Sequence, residues 1–388
     1  MNREIKKDIY YVGAIDWHRR LFDELIPLPD GTTYNSYLIK DEKVVLIDTV
    51  DPTKENELVE NIEEIGIGKI DYIIANHAEQ DHSGSIPAIL SIYKDAKILT
   101  NEKCKEFLKD LLLIPDEKFF TINDKKEISI GKRKLKFFLT PWVHWPETMI
   151  TYAIEDKILF TCDLFGSHLA TSNIFSKDEK LYSAAKRYYA EIMMPFRNKI
   201  KDYISIIEKM DVEIIAPSHG PIYREPKFIL NAYKEWISDN VKNEVVIAYV
   251  SMHGSVEKAV SYLVNELIKR EIEVKPFNLS KTDIGEFAIS LVDCATLIVA
   301  SPTVLGGIHP IALQALHLAS LLHPKIRFFT FIGSYGWGSN AIMQLNEIIG
   351  KMKVDIIEPL MIKGHPKEKD FEAIEKIAKE IEKKHAEL

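Results

Sequence analysis

The sequence predicts an α/β protein of two domains, each with polar loops at the ends of buried strands. Two observations support this prediction. In the first half, the apolar strand KIDYIIA is followed, after Asn76, by the run HAEQDH, from His77 to His82. In the second half, three apolar strands each pass into a loop rich in glycine or hydroxyl residues and then into a helix, the order typical of a parallel sheet covered by helices. At 388 residues the chain is long enough to form two separate cores.

Composition and charge exclude several classes of protein. The formal net charge of −8 and the lack of a basic stripe argue against nucleic acid as a partner. Hydrophobic residues make up 46% of the chain and charged residues 28%, so an ordered globular protein is expected. The start MNREIKKDIY lacks the apolar core of a signal peptide, and no run of about 18 apolar residues predicts a membrane span. We therefore expect a cytoplasmic protein with no membrane partner.

The three cysteines, Cys104, Cys162 and Cys294, form no C-x-x-C pair. A disulfide framework, a zinc ribbon and a fused rubredoxin module are therefore not predicted. Cys162 precedes Asp163, a candidate metal ligand, so it is either a thiolate ligand or redox sensor, or a buried structural thiol. We favour the structural thiol, because neighbouring side chains of the strand KILFTC should point to opposite faces.

The first half is predicted to be strands with interspersed helices. YNSYLIK and KVVLIDTV form a hairpin across Asp41 and Glu42, and NELVENIEEIG forms an amphipathic helix that ends at Gly66 and Gly68. IDYIIA then leads into HAEQDH, which we expect to be a tight loop, and SIPAILSIY is the next helix. Further strands are expected at KILT, LKFFLT, MITYAIE and KILFTC.

Between Ser172 and Met210 the apolar spacing becomes helical, in LYSAAKRYYAEIMM and IKDYISIIEKM. Met193, Met194 and Phe196 either line a channel or belong to the core, and we favour the core. After the helix ILNAYKEWISDNVKN, the polar stretch 238–244 is the candidate domain boundary. The predicted domains are residues 1–242 and 243–388.

Metal-ligand residues recur at strand ends throughout the first domain. HAEQDH combines imidazoles and carboxylates, and three more candidates follow in TPWVHWPE, LFTCDLFG and IIAPSHGP. The candidate ligands are His77, Glu79, Asp81, His82, His144, Asp163 and His219. Because this set exceeds the needs of one tetrahedral ion and a carboxylate can bridge two ions, we predict a binuclear centre.

Three loops in the second domain predict a flavin mononucleotide (FMN) site. The carboxyl ends of parallel strands form the ligand crevice of an open sheet, and the amino end of a helix favours a phosphate. The predicted cofactor-binding residues are Ser251, Met252, His253, Gly254, Ser255, Val256, Ser301, Pro302, Thr303, Val304, Leu305, Gly306, Ser334, Tyr335, Gly336, Trp337 and Gly338. His253 is either a phosphate donor or simply exposed. Trp337 either stacks on the flavin or plugs the loop, and we favour stacking.

These motifs resemble those of a known family. Asn35, HAEQDH, His144, Asp163 and the run SHGP resemble the metallo-β-lactamase fold, whose hydrolases usually carry His-x-His-x-Asp-His. Glu79 in place of the middle histidine is the pattern of the flavodiiron proteins, and a hard anionic oxygen ligand favours iron over zinc. The resemblance implies an N-terminal αββα metallo-β-lactamase-like sandwich.

The second domain resembles flavodoxin, which implies a flavodoxin-like doubly wound parallel sheet. The resemblance assigns the phosphate to the loop from Ser251 to Val256 and the flavin ring to the loops that begin at Ser301 and Ser334. This chain departs from flavodoxin at Val256, where phosphate loops usually end in a hydroxyl residue, so Ser255 and backbone amides must compensate.

The flavodiiron resemblance also implies roles for the ligands. It assigns His77, Glu79 and His144 to one iron, Asp81, His82 and His219 to the other, and Asp163 to the bridge; in some members the counterpart of His82 swings away from the metal. Glu79, Asp163 and His82 are the predicted catalytic residues. Trp145 and His168 either tune the oxidant choice or serve packing alone.

The implied activity is reduction of dioxygen to water, with nitric oxide reduction to nitrous oxide as the alternative. Implied partners are rubredoxin or a reduced deazaflavin coenzyme as electron donor and a second copy in a head-to-tail homodimer, which can pair into a homotetramer. Two rival functions are a zinc hydrolase of the lactamase fold and a pure electron-transfer protein with a vestigial metal half. Glu79 and the flavin loops oppose the first rival, and the complete ligand set opposes the second.

Overall fold

The computed structural model describes residues 3–388, and contacts within the chain divide it into two compact units. The first unit runs to Tyr189 and includes Phe196–Ile237, and the second comprises Ala190–Pro195 and Ser238–Leu388. The break after Ile237 lies at the start of the polar stretch 238–244. Among the described residues, no helix is both long enough and apolar enough to cross a bilayer.

The first unit contains two main sheets and their helices. Its strands are β1 (Arg3–Lys6), β2 (Ile9–Tyr11), β3 (Ala14–Asp16), β4 (Leu21–Phe22), β5 (Ile26–Pro27), β6 (Thr32–Tyr34), β7 (Tyr37–Ile39), β8 (Val45–Ile47), β9 (Tyr72–Ile74), β10 (Lys97–Thr100), β11 (Phe119–Thr121), β12 (Glu127–Ser129), β13 (Lys134–Leu139), β14 (Met149–Ala153), β15 (Ile158–Cys162) and β16 (Ile214–Pro217). Its helices are α1 (Glu55–Glu64), α2 (Gln80–Ser83), α3 (Ile86–Ile92), α4 (Glu102–Leu112), α5 (Glu179–Tyr188), α6 (Arg197–Ile207) and α7 (Pro226–Ile237).

The two sheets pack face to face. The first has the order β1-β2-β7-β8-β9-β10-β11 and the second β12-β13-β14-β15-β16. Side chains alternate along each strand: Tyr37 and Ile47 pack with Phe160 of the second sheet, whereas Leu38 and Leu46 belong to a separate core with the residues of α1, α3 and α4. This is the predicted αββα metallo-β-lactamase-like sandwich. The predicted hairpin is also confirmed, since β7 pairs antiparallel with β8.

The second unit is a parallel sheet with helices. Its strands are β17 (Lys242–Tyr249), β18 (Glu273–Asn278), β19 (Cys294–Val304), β20 (Gly307–Ile308), β21 (Phe328–Tyr335), β22 (Asp355–Ile356) and β23 (Leu360–Lys363). Its helices are α8 (Ser255–Ile268), α9 (Ile284–Ser290), α10 (Pro310–Leu322), α11 (Ala341–Ile349) and α12 (Glu368–His385).

The order of the parallel strands is β18-β17-β19-β21-β22, with β23 also paired to β21. Helices α8 and α12 cover one face of this sheet, where Leu263 and Ile377 pack on Ile247 and Ile298. Helix α10 packs on β17 and β19. The strand order and the helical cover agree with the predicted flavodoxin-like doubly wound sheet, whose carboxyl strand ends meet at one edge.

Three local predictions need correction. HAEQDH is not wholly a loop, because residues Gln80–Ser83 form one helical turn. The α-helix predicted in LYSAAKRYYAEIMM ends at Tyr188, and a π-helical turn, Tyr189–Met193, follows it. The segment after Ser301 does not leave the sheet at once, since β19 continues to Val304 and pairs antiparallel with β20. In each of these three segments, the observed conformation provides hydrogen-bond partners for the backbone N–H and C=O groups. The composition of the segment alone had predicted only a loop or a regular helix.

Candidate metal centre and flavin pocket

The strand ends of the sandwich bring the candidate ligands together. β9 leads to His77, and β15 and β16 lead to Asp163 and His219. Asn35 fixes the last of these loops, because its Nδ2 donates to the carbonyls of Pro217 and Gly220, each at 2.8 Å.

The first ligand group consists of His77, Glu79, His144 and Asp163, each of which offers a ligand atom within 4.8 Å of the others. His77 Nε2 lies 3.2 Å from Glu79 Oε2, and His144 Nε2 lies 3.1 Å from the same oxygen. Two imidazoles and a carboxylate therefore converge on one point, as one metal ion requires.

The second ligand group consists of Asp81, His82 and His219, which meet the same distance limit. His219 Nε2 lies 3.1 Å from Asp81 Oδ2, and His82 Nε2 lies 3.3 Å from Asp81 Oδ1. His82 is turned into this group, so in this structure it does not adopt the swung-away orientation.

Asp163 joins the two groups. Its Oδ2 lies 3.5 Å from the Nε2 atoms of both His77 and His144. Its Oδ1 lies 3.0 Å from His82 Nε2 and 3.5 Å from His219 Nε2. Each oxygen thus faces one ligand group, which is the geometry expected of a carboxylate that bridges two ions.

The hydrogen bonding of these ligands suits a pair of cations. Both carboxylate oxygens of Asp81 and the Nε2 of His219 are buried without a hydrogen-bond partner of acceptable geometry. Buried polar atoms in native proteins nearly always have a partner. The mixed oxygen and nitrogen donors suit iron, since imidazole and carboxylate are both ligands for that metal. The residues present therefore fit a diiron centre.

Charge in the site favours cations as well. Burial lowers the pKa of His77, but hydrogen bonds with Glu147 and Glu79 outweigh this and raise it to about 10. Burial raises the pKa of Glu79, but its hydrogen bonds with His144 and His77 bring the net value below its usual range. Burial likewise raises the pKa of Asp163, whereas the charges of His82 and His144 bring it well below its ordinary value. The carboxylates therefore stay ionised, and their negative field attracts positive charge.

Two partners orient the ligand imidazoles. Glu147 Oε1 accepts a hydrogen bond from His77 Nδ1 at 2.6 Å, and its side chain is fully buried. The carbonyl of Thr33 accepts from His219 Nδ1, also at 2.6 Å. A proton held on Nδ1 leaves Nε2 free as a metal ligand. Glu147 is not among the residues predicted from the sequence, although a carboxylate three residues after His144 is a signal that could have indicated it.

A buried network fixes the HAEQDH segment beneath the site. The two oxygens of Asp48 accept from the backbone and side-chain nitrogens of Asn76, at 2.8 and 2.9 Å. The Oδ1 of Asn76 in turn accepts from Thr151 Oγ1 at 2.7 Å. This network ties β8, the segment after β9 and β14 together, so it couples the two sheets directly behind His77. Sequence reasoning gave no role to Asp48 or Asn76.

Aromatic side chains surround the ligands. The Tyr188 hydroxyl donates to Asp163 Oδ1 at 2.7 Å. The His168 ring lies 4.9 Å from the rings of both Tyr188 and His219, and the Trp145 ring lies 4.9 Å edge-on to His77. From the sequence, Tyr188 was predicted only to belong to the helix in LYSAAKRYYAEIMM, because its contact with Asp163 has no local sequence signal.

Cys162 is buried, which both a structural thiol and a metal ligand would be, and its Sγ forms a group with ligand atoms of His82 and Asp163 within 4.8 Å of one another. However, its Sγ lies 4.0 Å from Asp163 Oδ2, so the two side chains do not point to opposite faces. The expected alternation fails because Cys162 has a φ of +51°, outside the strand region. Burial raises the thiol pKa well above its usual range, which keeps it protonated. Met193 and Met194 are also buried, in accord with the core interpretation. Phe196 is only half-buried, and its ring lies 6.4 Å from that of His144.

In the second unit, the predicted flavin loops form a cavity of about 170 Å³ at the carboxyl ends of the strands. The residues that line it are Met252, His253, Ser255, Val256, Pro302, Thr303, Ser334, Tyr335, Gly336 and Gly364. All three predicted loops contribute. Trp337 is not among the lining residues, and 89% of its surface is exposed.

Hydrogen bonds hold two of these loops in place. Thr303 Oγ1 donates to Ser339 Oγ at 2.8 Å, and the Asn340 nitrogen donates to the Gly306 carbonyl at 2.6 Å. Gly254, which precedes α8, has a φ of +82° and open space where a side chain would begin. The first N–H groups of a helix have no partner within the helix, and the amino end of a helix favours a phosphate. At the start of α8, the Glu257 nitrogen donates to the Ser251 hydroxyl of the same loop at 3.2 Å. The residues of these loops therefore suit FMN.

Gly364 was missed by the sequence analysis. It follows β23, and its nitrogen donates to the Tyr335 carbonyl at 2.8 Å. The signal was present, because LMIKGHP is a fourth apolar strand followed by glycine.

Comparisons with known proteins cover the whole chain. The family model described as "ODP family beta lactamase" matches residues 32–220. A nitric oxide reductase of Moorella thermoacetica is 38% identical over 91% of this chain and 90% of its own length. The solved rubredoxin oxygen:oxidoreductase of Desulfovibrio gigas is similar with a TM-score of 0.96 and 30% identity, covering 100% of this chain and 99% of its own. The flavodiiron protein of Giardia intestinalis gives a TM-score of 0.93 and 27% identity, covering 100% and 97%.

Proposed function

This chain belongs to the flavodiiron protein family, and from that premise we propose that it reduces dioxygen to water. It is an oxidoreductase of that family, whose cofactors are FMN and a pair of irons. The observation that supports the proposal best is the position of Asp163, which offers one oxygen to each ligand group. Glu79, a hard anionic oxygen ligand that favours iron over zinc, opposes the rival zinc hydrolase.

We assign the diiron domain to residues 1–242 and the FMN domain to residues 243–388. Asp163 and the six side chains that converge around it are the proposed iron ligands. The residues of the three strand-end loops are the proposed FMN contacts. When bound, two irons and one FMN supply four electrons, the number needed to reduce one dioxygen to two waters.

The protein's own residues prepare this centre. Glu147 and the carbonyl of Thr33 hold the Nδ1 protons of His77 and His219, so both rings present Nε2 to the metals. The Tyr188 hydroxyl donates to Asp163 Oδ1 and thereby limits rotation of the bridging carboxylate. Burial of these groups excludes bulk water from the ligand side of the site.

Reduction of nitric oxide to nitrous oxide is the second candidate. The observation that favours it is the similarity to the Moorella protein named nitric oxide reductase, which is 38% identical over 91% of this chain. Coupling two nitric oxide molecules consumes two electrons, so the same ligand set serves both reactions.

We propose a head-to-tail homodimer, which can pair into a homotetramer. Large apolar side chains are exposed on each unit: Trp17 is 49% and Trp142 is 50% exposed on the first, and Leu305 is 99% and Trp337 is 89% exposed on the second. Exposed aromatic side chains of this size commonly mark an interface. A second copy that covers both surfaces would bring its flavin to this metal centre.

The proposed electron donor is a rubredoxin or a reduced deazaflavin coenzyme. The Megalodesulfovibrio gigas relative, named rubredoxin-oxygen oxidoreductase, is 31% identical over 96% of this chain and supports the first of these. Steady-state turnover with each reduced donor in turn distinguishes them. Analytical ultracentrifugation tests the assembly, and full turnover by a monomer would contradict the dimer.

The first experiment is metal and flavin analysis of protein purified without air, followed by oxygen and nitric oxide consumption. We expect two irons and one FMN per chain. Glu79→Ala and Asp163→Asn should abolish turnover while FMN stays bound, whereas Glu64→Ala on the exposed end of α1 should not change it. Zinc without flavin, or unchanged turnover in both site variants, would refute the proposal.

A further inference from the structure

The phosphate loop at the start of α8 lacks a side-chain donor at its last position. Val256 stands where flavodoxin phosphate loops usually carry a hydroxyl residue. Its side chain is 2% exposed and packs in the core against the residues of α12 and the sheet. It therefore offers only its backbone N–H to a phosphate. A phosphate dianion at this loop needs a replacement donor from elsewhere in the fold.

The loop after β23 places an imidazole at this position. His365 Nδ1 lies 3.5 Å from the hydroxyl of Ser255, the residue before Val256. Both groups are accessible to solvent, so a ligand can reach them. The two residues are 110 positions apart in sequence, and only the packing of β23 on the sheet brings them together.

The His365 loop is anchored rather than free. β23 pairs in parallel with β21, with Tyr335 opposite Lys363. The Gly364 nitrogen donates to the Tyr335 carbonyl at 2.8 Å, and Gly364 turns the chain with a φ of +76°. Tyr335 and Gly364 both line the cavity that the flavin loops form. His365 does not line the cavity itself, but it directly follows Gly364, which does, and its ring lies next to the lining residue Ser255.

The side chains near His365 favour an anion. Lys363 and Lys367 flank it in sequence, and Lys367 Nζ donates to the backbone carbonyl of Lys363 at 3.1 Å, which holds the Lys367 ammonium at this loop. His253, from the first flavin loop, also lines the cavity. Imidazole and ammonium donors combined with the start of a helix are the groups that bind phosphate.

We propose that His365 is a phosphate-binding residue of the FMN site and supplies the donor that Val256 cannot. This inference rests on the proposed FMN site. An imidazole N–H of His365 donates to a phosphate oxygen, beside the Ser255 hydroxyl and the backbone amide of Val256. The residue thus contributes to the preference of this protein for FMN over riboflavin, which has the same ring system without phosphate.

The test compares two flavins on the full chain after removal of bound flavin. Dissociation constants for FMN and riboflavin are measured by flavin fluorescence in wild type, His365→Ala and His365→Gln. We expect His365→Ala to bind FMN roughly tenfold more weakly, as loss of one charge-assisted hydrogen bond implies. Riboflavin affinity should not change. His365→Gln should recover part of the loss, because an amide N–H can also donate.

His317→Ala is the matched control, since His317 is an exposed histidine of α10 in the same unit. It should leave both affinities unchanged. Unchanged FMN affinity in His365→Ala, or an equal loss for FMN and riboflavin, would overturn the assignment of His365 to phosphate. A wild-type chain that binds FMN no more tightly than riboflavin would instead overturn the proposed phosphate site as a whole, and with it this inference.

Discussion

Replacement of Glu147 by glutamine tests whether a buried carboxylate controls the metal affinity of His77. Glu147 Oε1 accepts hydrogen bonds from His77 Nδ1 at 2.6 Å and from the Ala78 nitrogen at 3.1 Å. Its side chain is fully buried, so water cannot take over these contacts. Glutamine keeps the shape and one acceptor oxygen but removes the negative charge.

The magnitude follows from the change in that one hydrogen bond. A hydrogen bond to a charged group contributes about 1.5–3 kcal/mol, against about 0.5–1.5 kcal/mol for a neutral pair. The difference is about 1.4 kcal/mol, or roughly a factor of ten in a binding constant. We therefore expect Glu147→Gln to bind iron roughly tenfold more weakly, within the range seen when partners of ligand histidines are removed.

The assay is anaerobic competition between the protein and a coloured ferrous chelator. Glu64→Gln is the control, because Glu64 is exposed at the end of α1, and its iron affinity should equal that of wild type. Thermal unfolding of both variants checks that the fold is intact. Iron affinity within a factor of two of wild type in a folded Glu147→Gln protein would refute the orienting role of Glu147.

Three further predictions concern other contacts. Tyr188→Phe removes the hydroxyl that donates to Asp163 Oδ1 at 2.7 Å, so the Mössbauer parameters of the loaded centre should change; an unaltered spectrum would count against this contact. Burial lowers the pKa of the His385 imidazole to about 4 in the folded protein, so as the pH falls the unfolded chain takes up this proton at a higher pH than the folded chain does. The free energy of unfolding should therefore fall by about 2 kcal/mol from pH 6.5 to pH 4. Urea unfolding of His385→Gln should show a smaller fall over the same range. Gly13→Ala places a Cβ 2.2 Å from the Tyr34 carbonyl oxygen and should lower the unfolding midpoint in urea, whereas Gly68→Ala, with open space around it, should not.

The domain folds were largely predictable because they depend on local patterns. The apolar run VVIAYV and the amphipathic helix after it are one strand and one helix in the structure, β17 and α8. The hairpin of β7 and β8 and the helix α1 were also predicted. Strand and helix periodicities are properties of short segments, so they survive in the sequence without any knowledge of distant contacts.

Predictions from local sequence patterns were wrong where tertiary contacts determine the backbone conformation. The helical turn Gln80–Ser83, which starts within HAEQDH, brings the side chains of Asp81 and His82 into the same ligand group. Cys162 leaves the strand conformation one residue before Asp163, so the expected alternation is lost. These departures follow from the demands of a shared site, which no window of neighbouring residues expresses.

The sequence alone predicted which side chains carry the chemistry. Histidine and carboxylate residues directly after apolar strands indicated a binuclear centre, and glycine-rich loops after parallel strands indicated FMN, because strand ends are where such folds place ligands. Only the tertiary structure decided how these groups are oriented. The contacts of Glu147 with His77, of Tyr188 with Asp163 and of His365 with Ser255 join residues 70, 25 and 110 positions apart. Such pairs meet only when sheets and loops pack, and packing is a property of the whole chain rather than of any segment.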